Sequence, residues 1–305
     1  MTVDVTGVVP PVLTPLTADR EVDAASLERL VGHLVENGVH GLFVLGSSSE
    51  VVFMDPQRRA RVLDVVTGAV AGQVPVLVGA IDMQVGPVLA HVREAERAGA
   101  DGVVVTPPFY AITGPMEVER HFRAIAAGTS LPVWAYDIPV CTHVKLLPEA
   151  LMVLASEGLL AGVKDSSGDD VAFRRLALMN AAAGSPMRLL TGHEVVVDGA
   201  YLAGADGVVP GLGNVDPAGY VRLHEAARAG DWEAARREQD RLATLFEMVF
   251  DVPDRVGPAQ GIGAFKTALA ELGVIAGNTM HEPMAPLGEQ HARRIRARLE
   301  AAGLA

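Results

Sequence analysis

Only three of the 25 basic residues in this chain are lysines, at positions 145, 164 and 266, and one of them stands where an amine could act as a nucleophile. Lys164 follows the apolar run Leu159-Leu160-Ala161-Gly162-Val163, so its stem leaves the end of a buried strand rather than a solvated helix face. Burial at such a place favours the neutral amine, the form that attacks a carbonyl. The competing reading is a structural ion pair with the adjacent Asp165. Lys145, just ahead of a helical segment, and Lys266, within Ala-Phe-Lys-Thr-Ala-Leu, have no comparable setting. Tyr136 closes the neighbouring apolar run; its phenol could shuttle a proton for an imine-forming amine, or merely fill space. Ser47 and Ser48, in Gly46-Ser47-Ser48-Ser49-Glu50, combine hydroxyls with free backbone N–H groups in a tight turn. That is a cradle for a carboxylate, or an ordinary strand-to-helix cap.

Other chemistries lack their residues. There is no His-Glu-x-x-His and no paired-histidine spacing, and the single Cys141 excludes an intrachain disulfide framework and a thiolate metal knot. No base stands beside Cys141 to make it a nucleophile. His193-Glu194 is too short a match to assign a metal and suits contact with a substrate hydroxyl. Gly211-Leu212-Gly213 is not a dinucleotide fingerprint, and no Walker pattern occurs, so a nucleotide cofactor is not indicated. A formal charge of −12 argues against a nucleic-acid backbone or an anionic membrane as partner. No run of about 18 apolar residues and no leader-like start is present, and the expected home is a reducing cytoplasm.

The elements that must position these residues are legible as a repeat. Short apolar runs at 8–14, 41–45, 75–79, 102–105, 131–136, 160–164, 187–191 and 206–209 alternate with helical patterns near 24–37, 56–71, 84–98, 117–127, 147–157, 169–181, 195–203 and 216–229. Strands this short and apolar between helices are buried on both faces, which means a parallel sheet. Eight βα steps predict a (β/α)8 TIM barrel over 1–230, with an open doubly wound sheet as the alternative on pattern alone. Three further helices, 231–252, 260–272 and 286–303, form a C-terminal extension, 231–305, packed on the barrel. In a barrel the reactive groups sit at the C-terminal ends of the strands, where Lys164, Tyr136 and the serine turn all fall.

Taken together, residues 7–15, 46–50, 136–139, 162–168, 265–273 and 283–287 resemble the dihydrodipicolinate synthase / N-acetylneuraminate lyase family of class I, pyruvate-dependent aldolases, along essentially the whole chain. The resemblance implies a Schiff base on Lys164, Tyr136 as the proton-transferring phenol, Ser47 as the relay hydroxyl and Ser48 on the 2-oxo acid carboxylate. It implies Val209 as an apolar wall of the pyruvate pocket, and Ser166, Gly192 and Glu194 facing distal hydroxyls of a sugar acid. It also implies no cofactor, and a homotetramer built as a dimer of dimers. Four departures from the family pattern bear on this reading. Cys141 occupies the place of an arginine that would bind a second carboxylate, which disfavours the lysine-biosynthetic reaction. Phe109 replaces a relay tyrosine, with Tyr110 one residue away. Ser49 replaces a glycine before Glu50, and Asp137 stands where asparagine is common. The expected function is an aldolase or lyase that splits a 2-keto-3-deoxy sugar acid into pyruvate and an aldehyde. The alternatives are a dehydratase on a keto-deoxy aldarate and a non-catalytic protein that binds a 2-oxo acid.

Overall fold

The computed structural model describes residues 4–305. Eight parallel strands form one sheet: β1 (Gly7–Val8), β2 (Leu42–Val44), β3 (Val76–Gly79), β4 (Gly102–Val105), β5 (Val133–Asp137), β6 (Gly162–Asp165), β7 (Arg188–Thr191) and β8 (Gly207–Val208). Their order, β1-β8-β7-β6-β5-β4-β3-β2, is that of a barrel cut between its first two strands. The cut is closed by backbone bonds from His40 N to Val8 O (2.8 Å), Phe43 N to Pro10 O (3.0 Å) and Val12 N to Phe43 O (2.8 Å). The fold is therefore the (β/α)8 barrel, not the open sheet.

The first strand is much shorter than the run 8–14. Pro10 and Pro11 lack N–H groups and cannot continue a ladder, so the pairing past Val8 thins to the single bridge Pro11–Phe43. Asn214, fully buried, takes over there: its amide donates to Pro11 O (3.0 Å) and accepts from Leu13 N (3.1 Å). The helices follow from local chemistry. Asp23, Asp55, Asp169, Asp216 and Asp231 each cap a helix by accepting from a backbone N–H, and Pro56 and Pro217 open two of those helices. Sheet packing is tight enough to require glycine at one crossing: a Cβ on Gly162 would lie 2.2 Å from the Trp134 ring.

After the last strand and the helix Pro217–Arg228 come three more long helices, Trp232–Phe246, Pro258–Glu271 and Glu289–Ala301. The first is pinned to the barrel by the buried Gln239, which accepts from Val197 N at 2.6 Å. Among the described residues no helix is long and apolar enough to cross a membrane.

Candidate active site

Strands β5 and β6 run in register, with Tyr136 beside Lys164 and Asp137 beside Asp165. Side chains alternate across a strand, so one pair faces the barrel interior and the other the surrounding helices. The interior pair is Tyr136 and Lys164. The Lys164 ammonium donates to the Tyr136 hydroxyl at 2.9 Å, and both side chains are buried. Phe43 of β2 completes the floor. Its ring centroid lies 4.7 Å from Lys164 Nζ, and it meets the Tyr136 ring edge to face at 5.9 Å.

The ion pair with Asp165 that sequence left open does not form: among the described residues Lys164 has no carboxylate partner. Asp165 instead accepts from Ser167 N (2.8 Å) and lies 3.7 Å from Lys145. Lys145 also pairs with the fully buried Asp137, whose carboxyl burial raises to about 6, against the pull of the lysine and with a smaller push from Asp165.

Ser47 and Ser48 sit, half-buried, in a 3-10 turn directly after β2, Ser47–Ser49. Gly46 sets its approach, since a Cβ there would fall 2.5 Å from the Phe43 ring. The serine turn thus packs on the same ring that floors Lys164. Ser49 is buried and donates to Val12 O at 2.6 Å, so it holds the turn to the first barrel segment. Glu50 closes the turn with left-handed backbone, φ 59°.

The Glu50 side chain leads to the residue that sequence reasoning set aside. Lys266, on the helix Pro258–Glu271, forms an ion pair with Glu50, and neither side chain is exposed at all. The same ammonium donates to Thr279 O (3.0 Å), and Glu50 accepts from His281 N (3.0 Å). Burial pushes the Lys266 ammonium below its ordinary range, with Glu50 opposing. Lys266 thus has no setting comparable to that of Lys164, but it is the cation of a buried ion pair. The two partners lie 216 residues apart, so no local signal could have joined them.

On the β6–β8 side, Ser166 and Gly192 are brought together: a Cβ on Gly192 would overlap the Ser166 hydroxyl at 2.0 Å. Val209 is buried beside them, its N–H donating to Thr191 O at 2.7 Å. Glu194 is folded back onto the turn after β8, accepting from Leu212 N at 2.6 Å. Burial raises its carboxyl to about 7, opposed by the backbone N–H of Leu212, the charge of Lys164 and the N–H of Gly211. His193 points the other way, towards Asp170 (3.4 Å) and a cavity of about 150 Å³ behind the strands. A cavity of about 610 Å³ lies beyond the amino ends of β5 to β7, lined by Pro132, Ala161 and Arg188, on the opposite face from Lys164.

Two of the substitutions in the motifs have clear geometry. Tyr110 is 91% exposed, with left-handed backbone (φ 45°), so it does not take the place of Phe109, which packs against the core. Cys141 is exposed on a short helical turn, Pro139–Thr142, which local periodicity does not reveal.

A model of the dihydrodipicolinate synthetase family matches residues 4–302. The chain belongs to that family. Among curated relatives, it is 36% identical over 299 residues to an uncharacterized DapA-like lyase of Halobacterium salinarum, covering 98% of this chain and 94% of that one. It is 30% identical over 298 residues to the 4-hydroxy-tetrahydrodipicolinate synthase of Gluconacetobacter diazotrophicus, covering 98% and 97%. Among solved structures, YagE of Escherichia coli K12 in complex with pyruvate superposes with a TM-score of 0.92 at 28% identity, covering 98% of this chain and 99% of that one. The family comprises lyases and aldolases, and Schiff-base chemistry on pyruvate is general to it.

Proposed function

We propose that this member is a class I lyase that forms an imine between Lys164 and the C2 carbonyl of a 2-keto-3-deoxy sugar acid and releases pyruvate and an aldehyde. The observation behind this reading is the buried contact of 2.9 Å between Lys164 Nζ and the Tyr136 hydroxyl, with no carboxylate claiming the amine. The amine adds to C2, and Tyr136 delivers the proton with which the C2 oxygen departs as water. The resulting iminium takes up the electron pair of the C3–C4 bond as the C4 hydroxyl loses its proton, giving an enamine and the aldehyde. Ser47 is the relay for that proton. The enamine is protonated at C3, and water then frees pyruvate and Lys164. Ser48 and the N–H groups of its turn hold the substrate carboxylate, Val209 lines the pyruvate end, and Ser166, Gly192 and Glu194 face the hydroxylated end.

The Cys141 position supports a substrate without a second carboxylate, since a thiol cannot form the paired bonds of a guanidinium. One observation favours a second reading: a Glu194 carboxyl raised to about 7 could protonate a departing hydroxyl, so the same imine would give dehydration with the carbon chain intact. A homotetrameric state is proposed as well, supported by Tyr110, Ile112 and Met116, which expose apolar surface on the segment after β4.

Borohydride reduction with pyruvate tests the imine. A reduced pyruvate adduct on Lys164 is expected, and an unmodified Lys164 under saturating pyruvate refutes the proposal. Product analysis with 2-keto-3-deoxygluconate then separates cleavage, which yields pyruvate and glyceraldehyde, from dehydration, which yields neither.

A further inference from the structure

Tyr136 and Lys164 have immediate neighbours, Asp137 and Asp165, that share their register but face the helical layer. Adjacent strands lie about 4.8 Å apart, so two carboxylates at matching, buried strand ends repel unless a cation stands between them. Lys145 is that cation, paired with Asp137 and 3.7 Å from Asp165. Each carboxylate also holds a loop. Asp137 accepts from Leu146 N at 3.1 Å, so residues 145 and 146 are both clipped to the end of β5. The intervening segment is closed on itself, with the buried Thr142 hydroxyl reaching Ile138 O (3.1 Å) and Val144 O (3.2 Å). Asp165 accepts from Ser167 N, while Ser166 N donates to the Asp137 carbonyl at 2.8 Å. The loops after β5 and β6, which carry Cys141 and Ser166, therefore hang from one three-residue cluster.

We propose that Lys145 is a positioning residue for the distal half of the substrate: by bridging Asp137 and Asp165 behind the reactive pair, it fixes loops 138–146 and 166–168 against β5 and β6. This rests on the reading of Lys164 as the imine-forming residue. It adds a claim that neither the imine nor the family membership contains. The pyruvate half of the reaction is independent of Lys145, whereas affinity for the hydroxylated half depends on it.

The test compares Lys145→Met, Lys145→Arg and the double variant Asp137→Asn/Lys145→Met, all in the full chain. In Lys145→Met, borohydride trapping of pyruvate on Lys164 is expected to stay within about twofold of the parent, while KM for 2-keto-3-deoxygluconate rises about tenfold and kcat changes less. Lys145→Arg restores KM. The double variant removes the charge of Asp137, the more deeply buried of the two carboxylates, and with it their mutual repulsion, so it regains part of the lost thermal stability, but it keeps the raised KM because the bridge to Asp165 is still missing. Amide hydrogen exchange is expected to speed up in the peptide 138–146 and not in 46–50. An unchanged KM in Lys145→Met, trapping that falls in step with turnover, or a KM that recovers together with stability in the double variant overturns the proposal. If the parent protein itself traps no pyruvate, the functional reading fails on its own account. The exchange data then decide the positioning claim, and an unaltered 138–146 peptide refutes it.

Discussion

Replacing Lys266 by methionine keeps the aliphatic stem and removes the charge, leaving Glu50 at 0% exposure with the His281 N–H as its remaining donor. A carboxylate stranded in that way must stay charged without a counter-ion or take up a proton, and breaking a buried pair from one side typically costs about 3–5 kcal/mol. With an unfolding entropy of about 2.1 cal/mol/K per residue, a chain of 305 residues shifts its midpoint by roughly 1.6 °C per kcal/mol, so the expected fall in Tm is on the order of 5–8 °C. Glu50→Gln/Lys266→Met removes both charges while glutamine still accepts from His281 N, so it should recover at least about 2 kcal/mol of the single-variant loss. Urea unfolding followed by the fluorescence of Trp134, which is 1% exposed, measures all corners of the cycle. A loss below about 1 kcal/mol in Lys266→Met, or strict additivity in the double variant, would refute the pairing as an energetic unit.

Tyr136→Phe removes the hydroxyl that meets Lys164 and should lower kcat/KM by about 10²–10⁴, with the pyruvate adduct forming slowly but still on Lys164; parent-like turnover would exclude the phenol from the proton path. Gly46→Ala forces a methyl to within 2.5 Å of the Phe43 ring that floors Lys164, so trapping should slow by more than about tenfold at little cost in folding yield. Normal trapping in that variant would show that the ring has room to move. Glu194 holds its proton in the folded state up to about pH 7, against 4.5 for the free group. Its protonation therefore contributes stability that is complete below about 4.5 and lost as pH rises to about 7, at most about 3 kcal/mol and less for a half-buried side chain. Glu194→Gln should flatten the stability-against-pH curve between those limits, and an unchanged slope would place the titration elsewhere.

The barrel was readable because each strand is a short apolar run closed by turn residues, and eight such runs in alternation with helices leave few architectures. The placement of Lys164 at a buried strand end was readable for a related reason: a scarce residue type at the end of a buried run is visible without coordinates. What escaped depended on contacts between distant segments. Nothing near Lys266 announces Glu50, and nothing near Lys145 announces a pair of carboxylates on two strands. β1 falls short of the apolar run 8–14 because Pro10 and Pro11, apolar as they are, lack the N–H groups a ladder needs. The turn Pro139–Thr142 was missed because four residues hold too little periodicity to register. Among the motif residues, Tyr110 is exposed and does not fill the place of Phe109, while the proposed hydroxyl contacts of Glu194 must compete with its bond to Leu212 N.

The three lysines separate by what faces them. Lys145 and Lys266 each end on carboxylates, which commit their protons to fixed acceptors, and both tie loops to the scaffold. Lys164 ends on a phenol, a group that can return a proton as well as accept one, and on an aromatic ring that offers no acceptor oxygen. An amine must shed a proton before it can attack a carbonyl, and a carboxylate partner opposes that step where a phenol does not. The single-residue alternation along β5 and β6 makes the difference possible. Stepping from 136 to 137 and from 164 to 165 passes from the barrel interior, where Tyr136 and Lys164 meet, to the outer layer, where the acids and their shared lysine sit. Had the acids pointed inward, Lys164 would be one more structural ion pair.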